Sequence, residues 1–183
     1  GVELAAGQHA LLRQFLSPLS NFRNDAYGGE LANRLRMVRE VLVAVRTALG
    51  PERVLGLKLV GDELAPWGGL TAEHCQEIAQ AIVALGQVDY LAIQIGGPYS
   101  ASMTEASMPV AQAHAAHLAE GIRRAIGGQV PIFAEGRIES TQVARGLIEG
   151  GQADAVVMTR ALISDPDLPR KATGLDEGLK DEP

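Results

Sequence analysis

Two short segments of the sequence place an arginine directly after an apolar run. Gly136 and Arg137 follow one such run, and Thr159 and Arg160 follow another. A guanidinium offers forked donors that match phosphate oxygens, and glycine lets the backbone approach an anion closely. In a (β/α)8 barrel, the loops after the last two strands commonly bind phosphate. The two segments therefore form a candidate phosphate site, although their spacing is equally consistent with two solvated arginines.

Motifs of other phosphate-binding classes are missing from the sequence. It contains neither Gly-x-Gly-x-x-Gly nor a P-loop pattern. A dinucleotide-binding Rossmann domain or a nucleoside-triphosphatase therefore has no motif to support it.

The histidines and the single cysteine are weaker candidates. His114 and His117 are three residues apart in a predicted helix and can share a metal ion, but no nearby carboxylate or cysteine completes the site. We interpret them as part of a solvated helix face, and we expect His74 to be exposed near a helix start. Cys75 lies in a helical apolar pattern, so buried packing is preferred over a catalytic thiol.

Several residues follow predicted strands on the side where a barrel would carry its active site. Tyr99 can border a substrate or pack within its loop. Asp62 and Glu63 can do acid–base chemistry or can simply be solvated. Trp67, in the same loop as these carboxylates, is a candidate lid or partner contact.

Apolar runs alternate with amphipathic segments along the whole chain, which predicts parallel strands with helices outside. The predicted strands cover residues 2–4, 54–60, 90–95, 130–134 and 155–158. Predicted helices cover residues 11–16, 31–49, 71–85, 110–126 and 140–149, with a short helix after Asp165-Pro166. A doubly wound sheet and a barrel both fit this alternation, and the pattern alone cannot separate them.

Composition narrows the class of protein. Apolar residues make up 46% of the chain and aromatic residues only 4%, which suits a helix-and-sheet interior. The 183 residues fall short of the roughly 250 that a whole (β/α)8 barrel uses, and the chain opens without Met, as though cut from a longer protein. The net charge of −6 argues against a nucleic-acid surface, and no apolar stretch is long enough for a membrane span. We expect a soluble, cytoplasmic protein.

Five segments resemble the Old Yellow Enzyme-like flavoproteins. They are Gly-Val-Glu-Leu at 1–4, Gln-Phe-Leu-Ser-Pro at 14–18, Asn-x-Arg-x-Asp-x-Tyr-Gly-Gly at 21–29, Asn-Arg-x-Arg at 33–36, and Ala-Asp-Ala-Val-Val-Met-Thr-Arg-Ala-Leu-Ile-Ser-Asp-Pro at 153–166. Arg137 after Gly136 is more similar to the larger 2,4-dienoyl-CoA reductase and trimethylamine dehydrogenase branch than to the small ene-reductases.

The resemblance implies an α/β fold, in which residues 1–171 form strands 4 to 8 of a (β/α)8 TIM barrel with their helices. It also implies FMN at the C-terminal mouth, with Gly136, Arg137, Thr159 and Arg160 at the phosphate and NAD(P)H as the electron donor. Lys58 falls where the family usually has an Arg beside the flavin pyrimidine ring. Positive charge there stabilises the anionic reduced flavin, although Lys lacks the planar fork of Arg. A lysine whose stem is buried and whose head reaches solvent is the alternative reading.

The match breaks down where the family activates its substrate. A His-x-x-His or His-x-x-Asn pair and a Tyr are usual there, and these positions hold Ala5, Gln8 and Ala10. Gln8 can donate a hydrogen bond but is not an acid at neutral pH. His9 is titratable, yet strand alternation points it away from Gln8 unless the register shifts locally.

Two hypotheses follow for the function. The first is an FMN-dependent oxidoreductase, of ene-reductase or amine-dehydrogenase type, that passes hydride through flavin N5 to or from a small-molecule substrate. The second is a non-catalytic partial barrel that binds a phosphorylated ligand or a partner subunit. Because a partial barrel has open edges, we expect self-association or pairing with the missing N-terminal half. The charged tail from Ala172 is expected to be disordered.

Overall fold

A single parallel sheet organises the computed structural model, which describes residues 1–173. Its five strands, in chain order and in spatial order, are β1 (Val2–Ala6), β2 (Leu55–Val60), β3 (Tyr90–Gln94), β4 (Ile132–Glu135) and β5 (Ala155–Val157). A doubly wound sheet reverses its strand order at a switch point. The order here never reverses, so the chain winds in one direction as part of a (β/α)8 barrel, which confirms the expected partial barrel.

Helices connect successive strands. They are α1 (Leu11–Leu16), α2 (Leu31–Arg34), α3 (Arg36–Leu49), α4 (Ala72–Val83), α5 (Ala101–Thr104), α6 (Ala116–Ala125), α7 (Thr141–Glu149), α8 (Arg160–Ser164) and α9 (Leu168–Ala172). Thr71 caps α4 by accepting from the His74 amide, and Ser140 caps α7 by accepting from the Val143 amide. No helix within residues 1–173 has the length and apolar character that a membrane span requires.

The core lies between the sheet and these helices. In β2, Leu55, Leu57 and Leu59 alternate with residues of the opposite face and have no solvent exposure. Ile78 of α4 and Ile122 of α6 belong to the same buried cluster. The opposite face of the sheet, which we call the inner face, is partly open. The strands are therefore apolar towards the helices and polar in part towards the barrel interior.

The predicted helix over residues 110–126 is wrong in its first turns, because α6 begins only at Ala116. Ala113 has a φ of +53°, and its amide donates to the carbonyl of Arg137. This tertiary bond holds the preceding segment in a turn. His114 therefore lies outside the helix and contacts the Met103 carbonyl through Nε2, while His117 is exposed on α6. Within residues 1–173, no three or more His, Cys, Asp or Glu side chains are grouped so that they could hold a metal ion.

Other boundaries also differ from the sequence prediction. The helix predicted over residues 31–49 is interrupted at Leu35, and the loop predicted over 96–109 contains the short helix α5. Ala172 is the last residue of α9, so the predicted disordered tail does not begin there. The rest of that predicted tail, residues 174–183, lies outside the described residues.

Asp89 joins two neighbouring strands at their N-terminal ends. Its carboxylate accepts from the Leu55 amide at 2.6 Å and from Arg46 Nη2 at 2.6 Å. These two donors, the Leu55 amide foremost, hold the pKa of Asp89 below its ordinary value. Asp154 repeats the arrangement between β4 and β5, where it accepts from the Ile132 amide at 2.8 Å. An Asp directly before a strand thus fixes the start of the neighbouring strand.

We expect Asp89→Asn to lower the free energy of unfolding by about 1 kcal/mol at neutral pH, because two charge-assisted hydrogen bonds are lost at a half-exposed, partly screened position. Since the folded-state pKa is depressed, this stabilisation is present above the unfolded pKa and disappears as pH falls through the folded pKa. Urea unfolding of both proteins from about pH 6 down to about pH 2 should show the difference narrowing below about pH 4.

Glu52→Gln is the matched control for this substitution, since Glu52 is exposed and has no hydrogen bond or ion pair within the described residues. It should leave the free energy of unfolding nearly unchanged. A difference between wild type and Asp89→Asn that stays constant across the pH range would contradict the proposed charge-assisted bonds.

Substitution of alanine for two of the glycines should change the free energy of unfolding in opposite directions. A Cβ at Gly56 would come within 2.1 Å of the Tyr90 ring, which stacks on Phe133 on the inner face. A Cβ at Gly146, within α7, would meet no atom within 4 Å. We expect Gly56→Ala to lower the free energy of unfolding by about 1–3 kcal/mol and Gly146→Ala to raise it by about 0.5–1 kcal/mol. Chemical denaturation measures both, and effects of the same sign would refute the packing described.

Candidate functional site

A cavity of about 460 Å³ lies at the C-terminal ends of the strands, between the loops that follow β4 and β5. We call it the β4–β5 cavity. The predicted residues Gly136, Arg137, Thr159 and Arg160 all line it, and so does Gln8 from the end of β1. The structure thus brings Gln8 and Arg160, which are 152 positions apart in the sequence, to the same cavity.

The backbone at the floor of the cavity has an unusual conformation. Gly136 has a φ of +126°, and Arg137 has a φ of +48°. A Cβ at position 136 would stand 3.1 Å from the Cβ of Ala115 and 3.2 Å from Cε1 of His114. Glycine is therefore required at position 136 both by the conformation and by close packing against the turn before α6. The positive φ of Arg137 is a strained conformation of the kind that concentrates at functional sites.

The two arginines of the cavity have different surroundings. Arg137 Nη1 donates to the Val110 carbonyl, and its Nε lies 3.1 Å from a carboxylate oxygen of Glu139. Its side chain is only 11% exposed, so it ties the loop after β4 to the segment before α6. Arg160 is exposed and has neither a hydrogen bond nor an ion pair within residues 1–173. Of the two guanidiniums, the one available to an anion is therefore that of Arg160.

The other polar groups that line the cavity also bear on whether it can hold a phosphate. The hydroxyl of Thr104 is buried, lines the cavity and has no hydrogen-bond partner within the described residues. A buried hydroxyl without a partner is costly, and this one lies against Gly96, where an added Cβ would come within 2.4 Å of Oγ1. Three carboxylates, those of Glu105, Glu135 and Glu139, also line the cavity. They outnumber its two guanidiniums, so an anion needs the Arg160 donor and the flexible backbone of Gly136. With these donors the residues present fit a phosphate group.

Lys58 lies on the inner face of the sheet. It pairs with Ala5 on β1 and with Ala92 on β3, and Ala92 in turn pairs with Phe133 on β4. Its Nζ is 3.2 Å from Oε2 of Glu135 and 3.6 Å from Oε1 of Glu3. Sequence analysis did not identify these two carboxylates. Strand alternation could have placed all three charges on one face, but only the register shows that they meet.

Gln8 and His9, the two residues that the sequence suggests for the substrate side, lie in different surroundings. Gln8 follows β1 with a φ of +45°, is exposed, and lines the β4–β5 cavity. His9 is exposed and does not line that cavity; its carbonyl accepts from Gln14. Ala5 is exposed on the inner face beside Lys58. The end of β1 therefore presents an amide and methyl groups, and no acid, to the mouth of the barrel.

Gln94 at the end of β3 is a further polar residue that sequence analysis missed. Its side chain is buried, and neither amide atom has a hydrogen-bond partner within the described residues. The amide lies against Gly7, where a Cβ would come within 2.2 Å of Nε2. Gln94 thus has unpaired amide N–H donors and an unpaired carbonyl acceptor within the described residues, and Gly7 is the residue that makes room for it.

Glu63 is neither a solvated loop residue nor an available acid–base group, so both sequence readings of it are wrong. It is buried, and its carboxylate accepts from Arg13 at 2.6 Å, from Ser17 at 2.7 Å and from the Leu70 amide at 2.8 Å. The Ser100 hydroxyl donates to the Glu63 carbonyl at 2.7 Å. Glu63 therefore connects the loops that follow β1, β2 and β3. The expected paired carboxylates do not form, because Asp62 accepts from the Leu64 amide instead.

The remaining candidates lie near the mouth or in the core. Trp67 and Tyr99 are exposed and form an edge-to-face pair with ring centroids 5.3 Å apart, which links the loops after β2 and β3. Cys75 is buried in the core as predicted, and this burial raises the pKa of its thiol. Packing, and not thiol chemistry, is therefore its role. His74 is exposed at the first turn of α4, as expected.

Among curated proteins, the chain is 36% identical to a metal reductase of Desulforamulus reducens over 94% of its own length and 25% of the relative's. It is 37% identical to an N,N-dimethylglycine/sarcosine dehydrogenase of Chromohalobacter salexigens over 92% of its length and 24% of the relative's. The chain therefore spans about a quarter of the length of these relatives.

Among solved structures, too, the chain matches part of a larger protein. The structure of a 2-naphthoyl-CoA reductase complex matches with a TM-score of 0.83 and 32% identity, covering 95% of this chain and 26% of the matched one. The family model for the NADH:flavin oxidoreductase / NADH oxidase family matches residues 1–182. The chain therefore belongs to the NADH:flavin oxidoreductase / NADH oxidase family of FMN-dependent barrel enzymes, and it corresponds to part of the barrel.

Proposed function

We propose that this chain provides the phosphate-binding part of the barrel of an FMN-dependent oxidoreductase that passes hydride through the flavin to or from a small-molecule substrate. The observation that carries the proposal is the β4–β5 cavity, in which the Arg160 guanidinium has no hydrogen bond or ion pair within residues 1–173. Membership of the family supplies the cofactor class, and the cavity supplies donors suited to its phosphate.

Each residue of the cavity has a distinct part in holding the cofactor. Arg160 and Thr159 would donate to the phosphate oxygens, and Gly136 would give the backbone access to them. Arg137 holds the loop in place through Val110 and Glu139. When bound, FMN supplies two-electron redox chemistry, in which hydride enters and leaves through its N5 atom.

The end of β1 limits the chemistry that this chain can support. Ala5 and Ala10 have no proton to give, and Gln8 donates a hydrogen bond without acting as an acid. A substrate carbonyl can be oriented by Gln8, but a proton for alkene reduction must come from another group or from water. Oxidation of an amine at the carbon beside nitrogen needs no such acid. The relatives include both a reductase and an amine dehydrogenase, so both substrate classes remain within the proposal.

The open inner face suggests how the chain associates. Ala5 is exposed there, Lys58 is partly exposed, and β1 and β5 each have a single neighbouring strand among the described residues. Unpaired strand edges favour addition of further strands. We propose that this face and these edges pair with the other strands of the barrel, or with a second copy of the chain when those are absent.

We expect Arg160→Ala to weaken FMN binding about tenfold or more, because a charge-assisted bond to phosphate contributes roughly 1.5–3 kcal/mol. Quenching of flavin fluorescence on titration with the protein measures the affinity. Riboflavin, which lacks the phosphate, should bind equally to the variant and to wild type. Arg145→Ala is the matched control, since Arg145 is exposed on α7 and has no ion pair within residues 1–173.

An equal loss of FMN and riboflavin affinity in Arg160→Ala would mean that Arg160 does not hold the phosphate. Gel filtration after addition of FMN tests the proposal as a whole. If the wild-type protein retains no flavin, the alternative is favoured, in which the chain is a non-catalytic partial barrel that binds a different phosphorylated ligand or a partner subunit.

A further inference from the structure

A lysine on the inner face is clamped between two carboxylates. Lys58 Nζ lies 3.2 Å from Glu135 and 3.6 Å from Glu3, and its side chain is 25% exposed. The Tyr90 hydroxyl donates to the other carboxylate oxygen of Glu3 at 2.9 Å, which holds Glu3 in place. The cluster of Glu3, Lys58 and Glu135 carries a formal charge of −1, from one cation and two anions.

The sheet register explains why these groups meet. Lys58 pairs with Ala92 on β3, and Ala92 pairs with Phe133 on β4. Glu135 lies two residues beyond Phe133 and therefore on the same face. Because Ala92 is small, the lysine can reach across β3 to Glu135. A larger side chain at position 92 would separate the two charges.

The cluster adjoins the proposed cofactor site. Glu135 lines the β4–β5 cavity together with Gly136, Thr159 and Arg160. On the other side of the sheet, Leu59, Ile93 and Ala134 are buried beneath the helices. The inner face, where the cluster lies, is therefore the face of the sheet that a ligand held in the cavity can contact.

We propose that Glu135, with Glu3, offsets the charge of Lys58 and so lowers the reduction potential of the bound flavin. Two-electron reduction adds negative charge to the flavin ring, so a nearby cation favours reduction and a nearby anion opposes it. A free Lys58 would raise the potential. Lys58 paired with two carboxylates leaves a net negative field, which makes the reduced cofactor a stronger electron donor.

This inference rests on the proposed function and refines it. A lowered potential favours delivery of electrons from the flavin to an acceptor and disfavours the oxidation of an amine. Of the two substrate classes left open above, the Glu135 clamp therefore favours the one in which the reduced flavin passes hydride to the substrate.

The test is the midpoint potential of the FMN-loaded protein, measured by equilibration with a redox dye of known potential. We expect Glu135→Gln to raise the potential by about 30 mV, which corresponds to a tenfold change in a two-electron equilibrium constant. Glu3→Gln should give a smaller shift of the same sign, because Glu3 is further from Lys58. It also serves as the second variant if Glu135→Gln does not fold.

Two further variants show whether the effect is one of local charge balance. Lys58→Gln should lower the potential, and the double variant Lys58→Gln, Glu135→Gln should return it close to the wild-type value. Glu149→Gln removes a charge from the exposed end of α7 and should leave the potential unchanged.

The possible outcomes distinguish this inference from the proposed function. If flavin is retained but neither Glu135→Gln nor Glu3→Gln raises the potential, the inference is overturned and the proposed function stands. If the wild-type protein and all variants fail to retain flavin, both are overturned.

Discussion

Burial of one face of the parallel sheet against the helices is the interaction on which the rest of the structure depends. Leu57, Leu59 and Ile93 project from neighbouring strands into one apolar cluster and are fully removed from water. Burial of each such side chain contributes roughly 1.5–3 kcal/mol, so the helical side has no room for polar groups. Charged side chains are consequently restricted to the inner face and to the loops at the strand ends, where the cavity forms.

The loops at the C-terminal mouth depend on a second, polar constraint. Glu63 is buried, and its carboxylate is satisfied by the Arg13 guanidinium, the Ser17 hydroxyl and the Leu70 amide. A buried charge with so many donors is expensive to disturb, because any donor removed leaves an unsatisfied group in a dry environment. The network thereby joins α1 to the loops that follow β2 and β3 at the C-terminal mouth.

Three cationic side chains near the C-terminal mouth have different roles because their neighbours differ. Arg137 is enclosed by Val110 and Glu139 and organises a loop, whereas Arg160, with the same side chain, is open to the cavity. Lys58 is held by carboxylates from the first and fourth strands. The availability of a positive charge to a ligand is therefore set by the neighbours that compete for it, and residue type alone does not predict it.

The sequence by itself determined the alternation of strands and helices and the segments that identify the family, because periodicity and short motifs are local properties of the chain. It also placed Gly136 and Arg160 correctly at the ends of strands. Only the tertiary structure decided between a barrel and a doubly wound sheet, and only it paired Lys58 with Glu135 and the Arg137 guanidinium with the Val110 carbonyl and Glu139. These outcomes depend on strand order and register, which bring residues far apart in sequence into contact and which local periodicity does not encode.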